Sequence, residues 1–101
     1  PEEILTTLFA IHALDRPGAL PTRLAHYDAH KAFLSDTSAH GVRIVMSGPL
    51  MSDDGEAMIG SLFLVEAPDR AHVEAFNRAD PFPAAGIWQS VTITRFLRRQ
   101  G

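Results

Sequence analysis

Hydrophobic and polar positions follow two different periods along this chain. Segments rich in β-branched and aromatic residues with a two-residue alternation predict strands, and apolar positions three and four residues apart predict helices. By this criterion strands are predicted at Ile4–Leu14, Val42–Leu50, Ala57–Glu66 and Ile87–Phe96. Helices are predicted over Pro21–His40 and over a segment that follows Asp69 and ends before Pro81. The element order is therefore strand, helix, strand, strand, helix, strand.

The segments between these elements have the composition of turns and helix ends. Asp15–Gly18 and Ser52–Gly55 are typical turn sequences, and the second predicts a β-hairpin. Asp69 is a favourable N-cap, Gly41 suits a left-handed helix stop, and Pro81 ends a helix because the residue before a proline avoids the helical region. The order βαββαβ predicts an α+β, ferredoxin-like fold, in which a four-stranded antiparallel sheet carries two helices on one face.

The predicted central strands are apolar on both faces. In the first strand Phe9 and Ile11 alternate with Leu8 and Ala10, and the third strand repeats this pattern. Two helices cover only one face of a sheet, so the other face would expose a large apolar patch, and such patches mark interfaces. We therefore predict a homodimer through the open sheet face. The alternative is a monomer whose Phe96–Leu97 segment folds across that face.

Composition bounds the class of protein. The 101 residues fit one domain, taken as residues 1–101, and a hydrophobic fraction of 46% is too high for a disordered chain. No apolar run approaches the roughly 20 residues that span a bilayer, and no secretory signal opens the sequence, so a cytoplasmic protein without a membrane partner is expected. The net charge of −3 gives no reason to expect nucleic-acid binding, and the lack of cysteine excludes thiolate chemistry.

The candidate chemistry centres on an aspartate in an apolar setting. Asp80 lies between Ala79 and Pro81 at the predicted end of the second helix, where a carboxylate needs a partner. His30 in the first helix can be that partner, because the two helices lie side by side and an imidazole serves as general acid or base near neutral pH. The alternative is a surface His30 and an Asp80 that caps local backbone N–H groups.

Two more residues of the first helix are candidates for binding. Arg23 lies about two turns before His30 on roughly the same face and could bind an anionic substrate group. The alternative is an exposed arginine paired with Asp15 or Asp28. His26 and His30 share one helix face as metal ligands do, but no third or fourth ligand follows in sequence. We therefore expect no metal site, and no nucleotide-binding motif indicates a cofactor.

These residues occur in an order that resembles the YCII (YciI-like) family, and the resemblance covers nearly the whole chain. Each motif alone is weak, whereas their order and spacing together are specific. The segments that carry the resemblance are Asp15-Arg16-Pro17-Gly18-Ala19, Arg23, His30 with Phe33-Leu34, Gly48-Pro49-Leu50, Asp54-Gly55, Gly60-Ser61-Leu62, and Ala79-Asp80-Pro81-Phe82 with Ala85-Gly86.

The resemblance implies a fold, an assembly and a site. It implies a ferredoxin-like, dimeric α+β barrel with an active site built from His30 and Asp80. It also implies a link to a dehydrochlorinase step in the breakdown of chlorinated aromatics, although most relatives have no established reaction. One departure is Tyr27, because relatives often carry an arginine three residues before the histidine, and this difference bears on the anion that the pocket accepts.

Two functions follow as expectations. The first is a small-molecule enzyme with lyase- or isomerase-like chemistry on a small cyclic or aromatic compound, without a cofactor. In it His30 exchanges a proton, Asp80 orients the imidazole, and Arg23 binds an anionic or enolate-like group. The alternative is a non-catalytic dimeric module that binds a small metabolite in the same cleft.

Overall fold

The computed structural model describes residues 7–101, which form one four-stranded sheet and the helices that cover it. The strands are β1 (Thr7–Asp15), β2 (Arg43–Met51), β3 (Met58–Ala67) and β4 (Trp88–Phe96). The helices are α1 (Leu20–Ala25), α2 (Tyr27–Leu34), α3 (Arg70–Ala79) and α4 (Pro81–Ala84), with a 3₁₀ turn at Ser38–His40. The predicted start of the first strand at Ile4 lies outside the described residues.

The sheet has the order β2-β3-β1-β4, and every neighbouring pair is antiparallel. This order and these connections confirm the predicted α+β, ferredoxin-like fold. The register places Ile11 of β1 opposite Phe63 of β3 and Ile93 of β4. Because every second residue of a strand points to the same face, Asp15 and Ser61 lie on the same face as these residues.

The core lies between this face of the sheet and the helices. Its nearly fully buried side chains include Phe9, Ile11, Phe63 and Val65 from the sheet and Val73, Phe76 and Phe82 from the helices. Burial of such side chains is the main favourable term in folding. It also fixes the helical segments that carry the candidate residues against β1 and β3.

The predicted first helix, Pro21–His40, is not continuous in the structure. His26 separates α1 from α2, with φ −105° and ψ 7°, and its ring Nδ1 lies 3.0 Å from the carbonyl oxygen of Thr22. A side chain that competes for a helical carbonyl is a known cause of a helix kink. The helical conformation then ends at Leu34. The 3₁₀ turn ends at Gly41, whose φ of 68° is positive, as predicted for a left-handed stop.

The second helix starts as predicted and ends with an additional helical turn. Asp69 caps α3 and accepts a hydrogen bond from the backbone N–H of His72 at 3.0 Å. Asp80 is extended, with φ −62° and ψ 139°, as expected before a proline. The chain then enters α4 at Pro81, which suits the first position of a helix because its missing N–H is not needed there.

The other face of the sheet carries no helix and is largely apolar. Leu14, Met46, Leu62 and Phe96 lie on it, and between 38% and 58% of each of these residues is exposed. Leu97 is 71% exposed, so the C-terminal segment does not cover this face in the structure. No helix within residues 7–101 combines the length and the hydropathy needed to cross a membrane.

Candidate active site

His30 and Asp80, which are fifty positions apart in sequence, are in direct contact. The Nδ1 atom of His30 lies 2.9 Å from Oδ1 and 2.8 Å from Oδ2 of Asp80. The two side chains are 6% and 2% exposed. The carboxylate therefore holds the imidazole by one ring nitrogen, in surroundings that exclude most water.

The position of Asp80 follows from the junction between α3 and α4. Its extended backbone ends α3, and its Oδ1 caps α4 by accepting the N–H of Phe82 at 2.9 Å. A short cap of this kind restricts the carboxylate to one orientation. Both sequence interpretations of Asp80 are therefore realised, because the carboxylate caps local backbone and contacts His30 with the same oxygen.

The ring of His30 is fixed by aromatic side chains as well as by Asp80. It stacks on Phe82 with 3.9 Å between ring centroids and 6° between the ring planes. Phe63 approaches the imidazole edge-on, with centroids 6.0 Å apart. Aromatic contacts of this type restrict ring rotation and add about 0.5–1.5 kcal/mol per pair. The alternative of a surface His30 is wrong, because only 5% of the residue is exposed.

Arg23 is buried and paired, so the alternative of an exposed arginine is wrong. Its Nε and Nη2 donate to the two carboxylate oxygens of Asp15 at 2.7 Å and 2.8 Å. Nη2 also donates to Oγ of Ser61 at 2.9 Å, and the guanidinium carbon lies 4.8 Å from the centroid of the Phe82 ring. Asp15 is one of the two predicted partners, but the arginine is 1% exposed rather than on the surface.

Arg23 and His30 line one cavity of about 200 Å³ between α1, α2 and the edge of the sheet. Tyr27 and Lys31 line it on the helical side, and Ser61 and Phe63 on the sheet side. This volume lies below the range of about 300–1,000 Å³ that is usual for drug-sized ligands. The cavity therefore fits a small molecule of about one ring.

Two nitrogen atoms remain available to a ligand in this cavity. Within residues 7–101, the only fully buried side-chain nitrogen or oxygen atom without a hydrogen-bond partner is Nε1 of Trp88. Nε2 of His30 and Nη1 of Arg23 take no part in the hydrogen bonds of these two side chains. Both atoms are thus not fully enclosed, and both belong to residues that line the cavity.

The remaining histidines do not contribute to this site. His72 lies on the surface as predicted, and its Nδ1 is 2.7 Å from Oδ1 of Asp69. This contact is the main reason why the pKa of Asp69 lies below its usual value. His12 lies on the open face of the sheet, opposite Leu62. Within the described part of the chain no group of three or more His, Cys, Asp or Glu residues could hold a metal ion.

Comparison with known sequences decides the family. The profile of the YCII-related domain matches residues 7–97 of the chain. The chain belongs to the YCII family. This YCII chain is similar to the Protein YciI of Escherichia coli O6:H1 and to that of Shigella flexneri, each 32% identical over 96 residues. The match covers 90% of this chain and 97% of each relative.

Solved structures similar to this YCII chain fall into two groups. One is the 5-chloro-2-hydroxyhydroquinone dehydrochlorinase of Burkholderia phenoliruptrix AC1100, solved in complex with 2,5-dihydroxybenzoquinone. It is 33% identical with a TM-score of 0.80, and the match covers 91% of this chain and 95% of that one. The other is represented by the protein PA3566 of Pseudomonas aeruginosa, which is 15% identical with a TM-score of 0.57 over 98% of this chain and 100% of that one. The second likeness shows the fold alone.

Sequence reasoning assigned no role to Ser61, although the structure places it in the cavity wall. In the sequence Ser61 stands out only as a member of the Gly60-Ser61-Leu62 motif that carries the family resemblance. The signal was available in the strand alternation, because Ser61 occupies a position of β3 whose neighbours of the same parity, Phe63 and Val65, are apolar and buried. A polar residue in a buried register position requires a partner, and that partner is Arg23.

Proposed function

We propose that this YCII chain is a small-molecule enzyme that moves a proton on a small cyclic or aromatic compound, with His30 as the general acid and base. The reaction class is isomerisation or elimination, and no cofactor takes part in the proton transfer. The observation that carries this proposal is the geometry of one ring. Nδ1 of His30 is held by Asp80, Nε2 has no hydrogen-bond partner among the described residues, and the residue lines the cavity.

The contact with Asp80 selects the protonation pattern of the imidazole. Because a carboxylate only accepts hydrogen bonds, the neutral ring carries its proton on Nδ1 and donates it to Asp80. Nε2 then has a lone pair that can accept a proton from a ligand in the cavity. When Nε2 takes that proton, the adjacent carboxylate stabilises the imidazolium that forms.

Arg23 contributes a hydrogen-bond donor rather than an uncompensated charge. Asp15 neutralises its guanidinium through two short hydrogen bonds, so the site holds no excess positive charge from this residue. Its Nη1 can still donate to an oxygen atom of the substrate. In this proposal Arg23 binds and orients a substrate oxygen while His30 exchanges the proton.

The similar dehydrochlorinase supports the choice of substrate class. That protein acts on 5-chloro-2-hydroxyhydroquinone and was solved with 2,5-dihydroxybenzoquinone, and both molecules are single substituted rings. A cavity of about 200 Å³ is suited to one such ring. Loss of HCl from a hydroxylated ring requires proton transfer and departure of chloride, and an imidazole base can perform the first of these steps.

The test is an assay of the purified protein with hydroxylated and chlorinated hydroquinones, with release of chloride and of quinone product as the readouts. The proposal expects turnover that depends on His30 and is abolished in His30→Gln. Catalysis would be contradicted if compounds of this panel stabilise the protein in thermal-shift measurements but are all recovered chemically intact. That result would favour the metabolite-binding module instead.

We also propose that two copies of the chain pack face to face through the open sheet face and form a dimeric α+β barrel. Two charged strand residues of this face, Arg43 and Glu66, lie at one end of it and pair with each other at 2.7 Å. In a two-fold interface a surface patch contacts the same patch of the other copy. An apolar centre brings no like charges together there and is therefore suited to self-association.

The assembly is tested by light scattering on the wild type and two variants. Leu62→Glu places a charge at the centre of the open face and is expected to give monomers. Leu24→Glu is the matched control, because Leu24 is also exposed but lies on α1. A wild-type protein that is monomeric at all concentrations would refute the dimer.

A further inference from the structure

We propose that Lys31 makes the cavity selective for rings that carry a carboxylate in addition to the group that reacts. The inference rests on the proposed function and specifies its substrate class. In this arrangement the ring of the ligand occupies the cavity beside His30. Its carboxylate lies at the rim of the cavity, where the ammonium group of Lys31 binds it.

The position of Lys31 on α2 brings it to the cavity together with the general base. Tyr27, His30 and Lys31 are spaced three and four residues apart, so they are neighbours on one face of the helix. All three line the cavity. The Tyr27 ring lies 6.4 Å from the His30 ring, with 25° between the planes. A ligand that contacts the imidazole therefore has the ammonium group about one helical turn away.

The ammonium group of Lys31 is available to a ligand. Its Nζ lies 5.0 Å from the centroid of the Tyr27 ring, within the range of a cation–π contact, and this contact limits where the flexible side chain goes. The nearest carboxylate oxygen belongs to Asp28 at 3.8 Å, which is beyond hydrogen-bond distance. The side chain of Asp28 is fully exposed, and an exposed pair of this kind is weak.

The rest of the described cavity wall does not compete for this role. None of the described residues that line the cavity is Asp or Glu. Arg23 is a cation as well, but two short hydrogen bonds to Asp15 neutralise it. His30 is neutral when its proton lies on Nδ1. Among the described residues of the wall, Lys31 thus carries the positive charge that no carboxylate holds at hydrogen-bond distance.

Exposure at the rim determines what Lys31 does for the ligand. Its side chain is 60% exposed, so water screens its charge from the atoms that react deeper in the cavity. A cavity of about 200 Å³ is filled by one ring, and a substituent of that ring reaches the rim. The ammonium group then binds the carboxylate equally before and during the reaction. Such uniform binding lowers KM and leaves kcat unchanged.

The test compares two ligands that differ by one carboxylate, hydroquinone and 2,5-dihydroxybenzoate, in NMR titrations at neutral pH. The wild type is expected to bind the benzoate about 3- to 10-fold more tightly at low ionic strength, and the preference should shrink at about 0.5 M salt. Lys31→Met should abolish the preference and leave the affinity for hydroquinone within about twofold. The exposed position of Lys31 makes loss of the fold in this variant unexpected.

Arg78→Gln is the matched control, because it also removes one positive charge but from an exposed position of α3 that does not line the cavity. It should retain the preference for the benzoate. Lys31→Glu should reverse the preference, since like charges then meet at the rim.

Equal affinity of the wild type for the two ligands would overturn the inference, as would a preference that persists in Lys31→Met or a wild type that binds neither ligand. Failure of the proposed function gives a different result. The preference would then depend on Lys31 while no compound of the hydroquinone panel is turned over.

Discussion

Two histidine–aspartate pairs of the described chain have nearly the same contact and different surroundings. Nδ1 lies 2.8 Å from a carboxylate oxygen in His30–Asp80 and 2.7 Å in His72–Asp69. The side chains of the first pair are 6% and 2% exposed, and those of the second are 45% and 57% exposed. The contact alone therefore does not distinguish a candidate catalytic pair from a surface one.

The two pairs differ in how the surrounding fold positions and encloses each imidazole ring. His72 and Asp69 are three residues apart on α3, so local helix geometry is enough to bring them together. His30 and Asp80 meet only because α2 packs beside α4, and Phe82 then stacks on the imidazole. The free nitrogen of His30 adjoins a small cavity, whereas His72 is an exposed residue of α3. Enclosure and a second free nitrogen make one pair a candidate for catalysis.

The largest expected effect is on turnover. His30→Gln should lower kcat/KM by about 10²- to 10⁴-fold, the usual contribution of a general acid or base. His72→Gln removes the exposed imidazole and should leave kcat/KM within about twofold of the wild type. Steady-state kinetics of both variants on one chlorinated hydroquinone measure the two kcat/KM values. Equal losses in the two variants would remove the functional distinction between the pairs.

The next effect is on stability. Asp80→Ala leaves the N–H of Phe82 and Nδ1 of His30 buried without an acceptor, so the free energy of unfolding should fall by about 2–4 kcal/mol. Asp69→Ala removes an exposed N-cap and should cost about 1 kcal/mol. Urea denaturation of both variants at neutral pH gives the two values. A loss for Asp69→Ala as large as that for Asp80→Ala would show that burial is not what separates them.

The sequence predicted the element order and the pairing of His30 with Asp80, and the reasons are specific. Strand alternation and the proline at position 81 place the ends of the elements, and the family resemblance relates His30 to Asp80. The break at His26 was not predictable, because it coincides with a ring contact to the carbonyl of Thr22. The burial of Arg23 was missed as well, because the network that neutralises it spans β1, α1 and β3.

A smaller effect tests the aromatic contact between Phe82 and His30. Of the two histidine–aspartate pairs, only the buried one has such a contact with a described residue. Phe82→Leu keeps an apolar side chain of moderate size but removes the flat surface beneath the imidazole. The free energy of unfolding should fall by about 1–2 kcal/mol, and kcat should fall more than KM rises because the ring is less well oriented. Unchanged kinetics would show that Asp80 alone orients His30.

The smallest effect concerns the pH dependence of the exposed pair. The pKa of Asp69 is lowered in the fold, chiefly by its side-chain hydrogen bond to His72. A lowered pKa contributes stability that is present above the unfolded value of about 3.9 and is lost as the pH falls through the folded value. Between about pH 5 and pH 3 the wild type should therefore lose more stability than Asp69→Asn. Urea denaturation of both proteins at pH 5 and at pH 3 measures the two losses of stability. Equal losses in the wild type and in Asp69→Asn would show that water fully screens the contact between Asp69 and His72.

The central claim is that His30 keeps its proton on Nδ1 and presents Nε2 to the cavity. Two-bond ¹⁵N–¹H spectra of the histidine rings test it, recorded at a pH where imidazoles are neutral and then with 2,5-dihydroxybenzoquinone added. The account predicts that His30 is in the Nδ1–H tautomer and that its Nε2 resonance shifts with the ligand, while the resonances of His72 do not. A His30 ring protonated on Nε2, or one that does not respond to the ligand while the protein binds it, would contradict the account.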